Sequence, residues 1–198
     1  TLFTEFTHFS DATFYKIADF RFAEFSKNTS FLHTVFFDFA VFEKAIFYQI
    51  AHFPNASFWG GVNFAHAKFH NLSEWFNTKF YSLLYLSGST FKETSDFRTS
   101  QFSENSEIFL DNTRFYSLLV NWDQWKGRIV TYGLFEIQTL RKNYVMLEDV
   151  FRKNCQFHDL DECYLERHTI ERNAKRWFEY PGDWLLWQSC GYGVKPLY

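Results

Sequence analysis

Phenylalanine returns every eleven residues without a break, at 3, 14, 25, 36, 47, 58, 69, 80, 91 and 102. A second series reads Phe9, Phe20, Phe31, Phe42, Phe53, Phe64, Trp75, Leu86, Phe97 and Ile108, so that its departures from Phe are still large and apolar. Together they place a bulky residue after alternately five and six positions. The residue two places earlier is small throughout one series, at Ala12, Ala23, Thr34, Ala45, Ala56, Ala67, Thr78, Ser89 and Ser100. In the other it is mostly small, with Thr7, Ala18, Thr29, Ala40, Ala51, Ser73 and Ser95 against Val62 and Leu84.

An eleven-residue apolar period also suits a right-handed helical supercoil. Here, however, the bulky and small members of each unit are two residues apart, the spacing that puts side chains on one side of extended chain. Phe, Thr and Ser are also poorer helix formers than the Leu, Glu and Lys such a coil would use. The expected fold is therefore a β-solenoid of very short strands, four to a turn, closing a quadrilateral β-helix. Residues 22 apart then stack at the strand spacing of about 4.8 Å. Phe14, Phe36, Phe58, Phe80 and Phe102 become a column of rings inside five such coils, with Ala, Ser and Thr filling the corners that rings cannot.

Outward positions follow from the same register. The residue after the Phe14 column reads Tyr15, Phe37, Trp59 and Tyr81, and two places further lie Ile17, Phe39, Gly61 and Leu83. Other outer columns are polar or mixed, such as Arg21, Glu43, Ala65 and Ser87. An apolar stripe on a solvated rod marks an interface, so Tyr15, Phe37, Trp59, Tyr81, Ile17, Phe39 and Leu83 are expected to pack against the C-terminal helices or another subunit.

The rhythm stops after Phe115. Leu134, Ile137, Leu140, Tyr144, Leu147 and Phe151 then fall at helical spacing, with polar residues between them. A break at residues 154–158 precedes Asp159, Asp161 and Glu162, acidic residues suited to a helix start, and a second helix is expected to end near Phe178 before Pro181 and Gly182. The chain divides into a β-helix over 1–116 and, over 117–198, a helical hairpin and linker. Residues 131–178 are expected to be a hairpin docked on the open end of the rod, shielding terminal strand edges.

Chemistry-bearing residues are sparse. His66 and His70 are four apart, but extended chain does not put them on one face. Cys155, His158 and Cys163 lack a fourth metal ligand nearby, and no P-loop or nucleophile-elbow motif appears. No catalytic residue, metal, cofactor or small-molecule substrate is expected, and the chain reads as a non-enzyme. The 20 Lys and Arg against 23 Asp and Glu give no basic footprint for nucleic acid. Three cysteines without a CxxC pair fit free thiols in a reducing compartment. No run of 18 apolar residues crosses a bilayer as a helix. Opening at Thr1 inside the repeat and stopping after Tyr198, the chain reads as a piece of something longer.

The register seen in "FYKIADFRFAEF" resembles the pentapeptide-repeat family, in a Phe-rich variant with alternating five- and six-residue spacings, over about residues 3–115. The resemblance implies the quadrilateral β-helix. Residues 120–198 resemble the linker of prokaryotic membrane proteins that join a pentapeptide-repeat domain to a C-terminal ion-channel module, through Cys163, Tyr164, Arg167 and the block from Cys190 to Pro196. Gly191, Tyr192 and Gly193 are not themselves a selectivity filter, since Ser189 and Cys190 stand where Thr-Val is required. This second resemblance implies a membrane-proximal linker with Trp184 and Trp187 as interfacial anchors, alongside Cys190, Gly191, Tyr192, Gly193 and Pro196. The function it implies is that of a non-catalytic domain on the cytoplasmic face of a potassium-channel type protein, serving assembly or coupling to the pore. Self-association and a transmembrane pore module following Tyr198 are the implied partners. The alternatives are a DNA-mimicking gyrase inhibitor, which 12 acidic against nine basic residues in the repeat region equip poorly, and a plain structural scaffold.

Overall fold

A computed structural model describes residues 1–131 and 136–174. They belong to two compact units, one spanning Thr1–Thr131 and the other holding two C-terminal helices. The first unit is a parallel β-solenoid of about six turns.

Most strands are two residues long, and each pairs in parallel with the strand one coil away. Phe14 pairs with Phe36, Phe36 with Phe58, Phe58 with Phe80 and Phe80 with Phe102. The rings follow the backbone register. In this column successive centroids are 5.0, 4.9, 5.5 and 4.8 Å apart, with planes between 4° and 16° of parallel. A second column runs Phe3, Phe25, Phe47, Phe69, Phe91, Phe115 at 4.5–4.9 Å. A third runs Phe9, Phe31, Phe53, Trp75, Phe97, and a fourth starts Phe20, Phe42, Phe64. Between columns the rings meet edge to face, as Phe31 meets Phe42 at 88°, so both favourable aromatic geometries recur up the rod as far as Trp75. Burying one such ring stabilises the rod by about 2–3 kcal/mol.

The alternation of five and six has a cause in the corners. Each five-residue step is a β-turn closed by an i to i+3 bond, such as Ala12 N to Phe9 O at 3.1 Å and Ala23 N to Phe20 O at 3.1 Å. In eight of the nine such turns from Phe9 to Ser100 the third residue is left-handed: Asp11, Phe22, His33, Lys44, Asn55, His66 and Asn77 have φ between 53° and 60°, and Gly88 has 70°, whereas Thr99 in the Phe97–Ser100 turn is not. That is the type II turn. The six-residue steps are open bends, as at residues 15 and 16. Thus two opposite corners are tight and two are wide.

The small inward positions are equally specific. Thr34 Oγ1 donates to Phe9 O at 2.8 Å and Thr78 Oγ1 to Phe53 O at 2.7 Å, which is how buried hydroxyls fit among rings. The fourth inner column trades volume between its two members. Ala18, Ala40 and Val62 accompany Phe20, Phe42 and Phe64, whereas the wider Leu84 and Ile108 accompany Leu86 and Leu110, the latter four all buried. This corrects one sequence expectation. Ile108 does not continue the ring column of Phe64 and Leu86 but pairs with Leu84, because two extra residues lie between Phe102 and Ile108. The insertion is held by Ser106 N and Oγ, both bonded to Ser103 O at 3.2 and 2.7 Å, and by Arg128 Nε to the same oxygen at 3.3 Å.

Past Phe115 the coil path continues. The strand Arg114–Leu119 pairs with the long strand Thr90–Asp96 across a bulge, and Ile129–Val130 pairs with Ile108–Phe109. Between them a four-residue helix, α1 (Trp122–Trp125), opens on an Asn121 cap whose side chain accepts from Asp123 N at 3.1 Å. Trp125 is fully buried and sits edge-on to Phe97 at 5.6 Å and Phe102 at 6.3 Å, closing two ring columns.

The second unit contains α2 (Glu136–Lys153) and α3 (Phe157–Ala174). A Schellman motif ends α2, with Gln156 N bonded to Phe151 O at 2.9 Å, Cys155 N to Arg152 O at 3.2 Å and Cys155 left-handed at φ 56°. The helices return antiparallel, since Arg141 meets Glu171 whereas Tyr144, further along α2, meets Glu166, earlier in α3. Arg167 Nε donates to Glu148 Oε1 at 2.6 Å and Nη2 to Oε2 at 3.3 Å in a buried fork, while Nη1 reaches Glu171 Oε1 at 3.1 Å. Arg141 Nε approaches the same Glu171 oxygen at 3.1 Å, and Tyr144 Oη donates to Glu166 Oε1 at 2.7 Å. Burial opposes the charge on Arg167, yet its bonds to Glu148 and Glu171 hold the guanidinium protonated more firmly than usual.

Candidate functional site: an outer aromatic ladder

Because the strand direction alternates side chains, the residue after each inner Phe must face outward. In the Phe14 column this puts Tyr15, Phe37, Trp59 and Tyr81 in vertical register on one outer face. Their rings stack on one another: Tyr15 on Phe37 at 5.3 Å, Phe37 on Trp59 at 6.3 Å and Trp59 on Tyr81 at 4.0 Å. Stacking covers part of each ring and leaves the rest open to solvent, with Tyr15 73%, Phe37 48% and Trp59 47% exposed. Tyr81 is half-buried.

Ile17, Phe39 and Leu83 lie at the adjoining wide corner. Ile17 is 61% exposed, while Phe39 and Leu83 are half-buried. Phe39 turns across the corner toward Tyr85, 6.2 Å away, over Gly61. The glycines at this corner are required. A Cβ on Gly60 would come within 2.6 Å of the Asp38 carbonyl carbon, and Gly61 has φ 97° with the Phe39 ring 3.1 Å from where its Cβ would be. The face is therefore a continuous ladder of four rings with an aliphatic and aromatic shoulder.

The other residues singled out from sequence are dispersed. His66 occupies a left-handed corner with its ring over Gly88, whereas His70 stands on a different stretch of the coil with Nδ1 3.3 Å from Lys92 Nζ. Cys155 is exposed in the Schellman turn, and Cys163 is buried with Sγ 3.9 Å from Tyr144 O. Burial, reinforced by Glu148 and Glu166, pushes the Cys163 thiol pKa well above its ordinary value, so it stays protonated. Trp184, Trp187, Cys190, Gly191, Tyr192, Gly193 and Pro196 lie outside the described residues. Sequence reading missed the basic cluster around His70, whose members come from three coils, and the left-handed corners. The latter did leave a signal, for positions 11, 33, 55, 66, 77 and 88 are Asp, His, Asn, His, Asn and Gly.

Fold and face together define a class, the β-solenoid built on short quasi-repeats, which is typically structural and non-catalytic. The family model described as pentapeptide repeats (9 copies) matches residues 9–57. Neither the curated proteins nor the solved structures contain a match to this chain. Among the described residues no helix is long and apolar enough to cross a membrane.

Proposed function

We propose that this chain is a non-catalytic assembly module of a channel-type membrane protein, in which the repeat solenoid associates with another subunit through the Tyr15–Phe37–Trp59–Tyr81 ladder and the helical hairpin serves coupling to the pore. The ladder carries the association half of this reading: four stacked rings half open to water are costly surface that association removes. The resemblance at Cys163, Tyr164, Arg167 and the Cys190–Pro196 block supports the channel half.

Light scattering behind gel filtration tests association on the full 198-residue chain. An oligomer that becomes a monomer in the Phe37→Ser, Trp59→Ser double variant supports the reading, because neither side chain enters the core; a parent chain that is monomeric at high concentration removes it. Reading the gene past residue 198 tests the channel half, for two apolar spans flanking a TVGYG-like stretch are required. Strong inhibition of gyrase supercoiling would favour the DNA-mimic alternative instead.

A further inference from the structure

On the solenoid most basic side chains that meet an acid do so in the same or the neighbouring coil: Arg21 with Asp19, His33 with Asp11, Lys44 with Glu43, His52 with Glu74 and Arg98 with Asp96. Lys16, Lys27 and Lys79 make no ion pair among the described residues, but one face gathers several such cations around a single histidine. Lys68, Lys92 and Arg114 are exposed on three successive coils, and none makes an ion pair among the described residues. Their positions are fixed by register: Lys68 pairs with Thr90 and Thr90 with Arg114, while His70 and Lys92 each follow an inner ring, Phe69 and Phe91, that pair with each other. Adjacent coils are about 4.8 Å apart, so one anion can reach side chains from all three.

His70 lies at the centre. Lys92 Nζ is 3.3 Å from its Nδ1. An ammonium can only donate, so Nδ1 accepts and the ring proton sits on Nε2, leaving a donor for a ligand. Partial burial, then Lys92 and Lys68, lower the pKa of His70 below its ordinary value. The remaining groups around it are Tyr48, whose ring is 5.1 Å away and whose hydroxyl is tied to Glu24 Oε2 at 3.3 Å, the exposed Glu93 at the next corner, and the exposed Tyr116 beyond Lys92. No carboxylate pairs with the cluster among the described residues.

We propose that Lys68, His70, Lys92 and Arg114 form a binding site for a phosphoryl group, presented by a soluble phosphorylated ligand or a lipid headgroup. Three cations supply the charge that a phosphate dianion needs, and His70 Nε2–H supplies an oriented neutral donor.

The test follows the seven histidine ring signals of the full chain by NMR while inorganic phosphate is added against sodium chloride of equal ionic strength. The expected result is a selective displacement of His70, a titration midpoint for His70 that climbs with phosphate, and about tenfold weaker binding in Lys68→Gln and Lys92→Gln. Lys16→Gln and Lys79→Gln, on other parts of the surface, should bind as the parent does. No selective His70 response, or equal weakening by all four substitutions, overturns the site. Sedimentation with phosphatidylcholine vesicles with and without phosphatidic acid then separates the sources. Capture only by the acidic vesicles, lost in Lys92→Gln, assigns a headgroup; phosphate binding without vesicle capture assigns a soluble ligand.

Discussion

Trp75 stacks on Phe53 with ring centroids 4.4 Å apart and planes 2° from parallel, and its indole N–H donates to Ser73 Oγ at 3.2 Å. An indole thus occupies a benzyl position because a small polar residue two places earlier satisfies its nitrogen. Trp75→Ala should lower unfolding free energy by about 3–5 kcal/mol, while Trp75→Phe, which keeps the column, should cost well under half of that. Denaturant midpoints of the two variants check this.

Leu84 and Leu86 share the space that an alanine and a phenylalanine fill two coils earlier. Leu84→Ala alone should cost about 2–5 kcal/mol through the cavity, and Leu86→Phe alone about 1–3 kcal/mol through overpacking. The double variant should be more stable than their sum predicts, by at least about 1 kcal/mol of coupling. Simple additivity in a double-mutant cycle would refute the volume exchange.

Ser89 Oγ is buried without a hydrogen-bond partner at a position where Ala23, Ala45 and Ala67 stand in other coils. Ser89→Ala should therefore raise stability by about 1 kcal/mol, read as a higher thermal midpoint. Phe22 bears a side chain at φ 56° on an exposed corner. Phe22→Gly should gain about 1 kcal/mol from relief of the left-handed conformation, less what the Lys44 ammonium loses from over its ring.

Breaking the Glu148–Arg167 fork should be severe in one direction only. Glu148→Ala leaves a buried guanidinium with half its partners and should cost the helical hairpin about 3–5 kcal/mol, whereas Glu148→Leu with Arg167→Met should be close to neutral. Loss of helical circular dichroism against urea measures both.

His70 also sets a pH dependence. Its folded pKa lies below the ordinary 6.5, so the unfolded chain binds the proton more readily. The stability it contributes is complete above about pH 7.5 and declines as pH falls through 6.5 toward the lower folded value. His70→Gln should flatten that part of the curve relative to the parent chain, measured as the difference between their urea midpoints.

The core was legible in the sequence because one physical rule, bulky residue inward with a small residue two before it, is written some twenty times. It was misread where that rule met an insertion: Ile108 satisfies the eleven-residue step numerically, but the polar run Ser103–Glu107 lengthens the corner and moves Leu110 into the ring column. The Tyr15–Phe37–Trp59–Tyr81 column was likewise visible, since register alone aligns residues 22 apart. That Phe39 turns away over Gly61 was not, because it depends on a missing Cβ one coil further on. Lys68, His70, Lys92 and Arg114 were invisible as a group, for they come together only when three coils are stacked and their lack of acid partners is known.

The two kinds of corner have a consequence for how such a chain tolerates change. Removing eleven residues deletes one tight and one wide corner, so every benzyl group downstream still finds an inward seat. It also turns the remaining surface by half a revolution, carrying Trp59 and Tyr81 to the side opposite Tyr15. Removing 22 leaves both interior and exterior aligned. Length in this molecule is therefore quantised twice, in units of eleven for folding and of twenty-two for recognition.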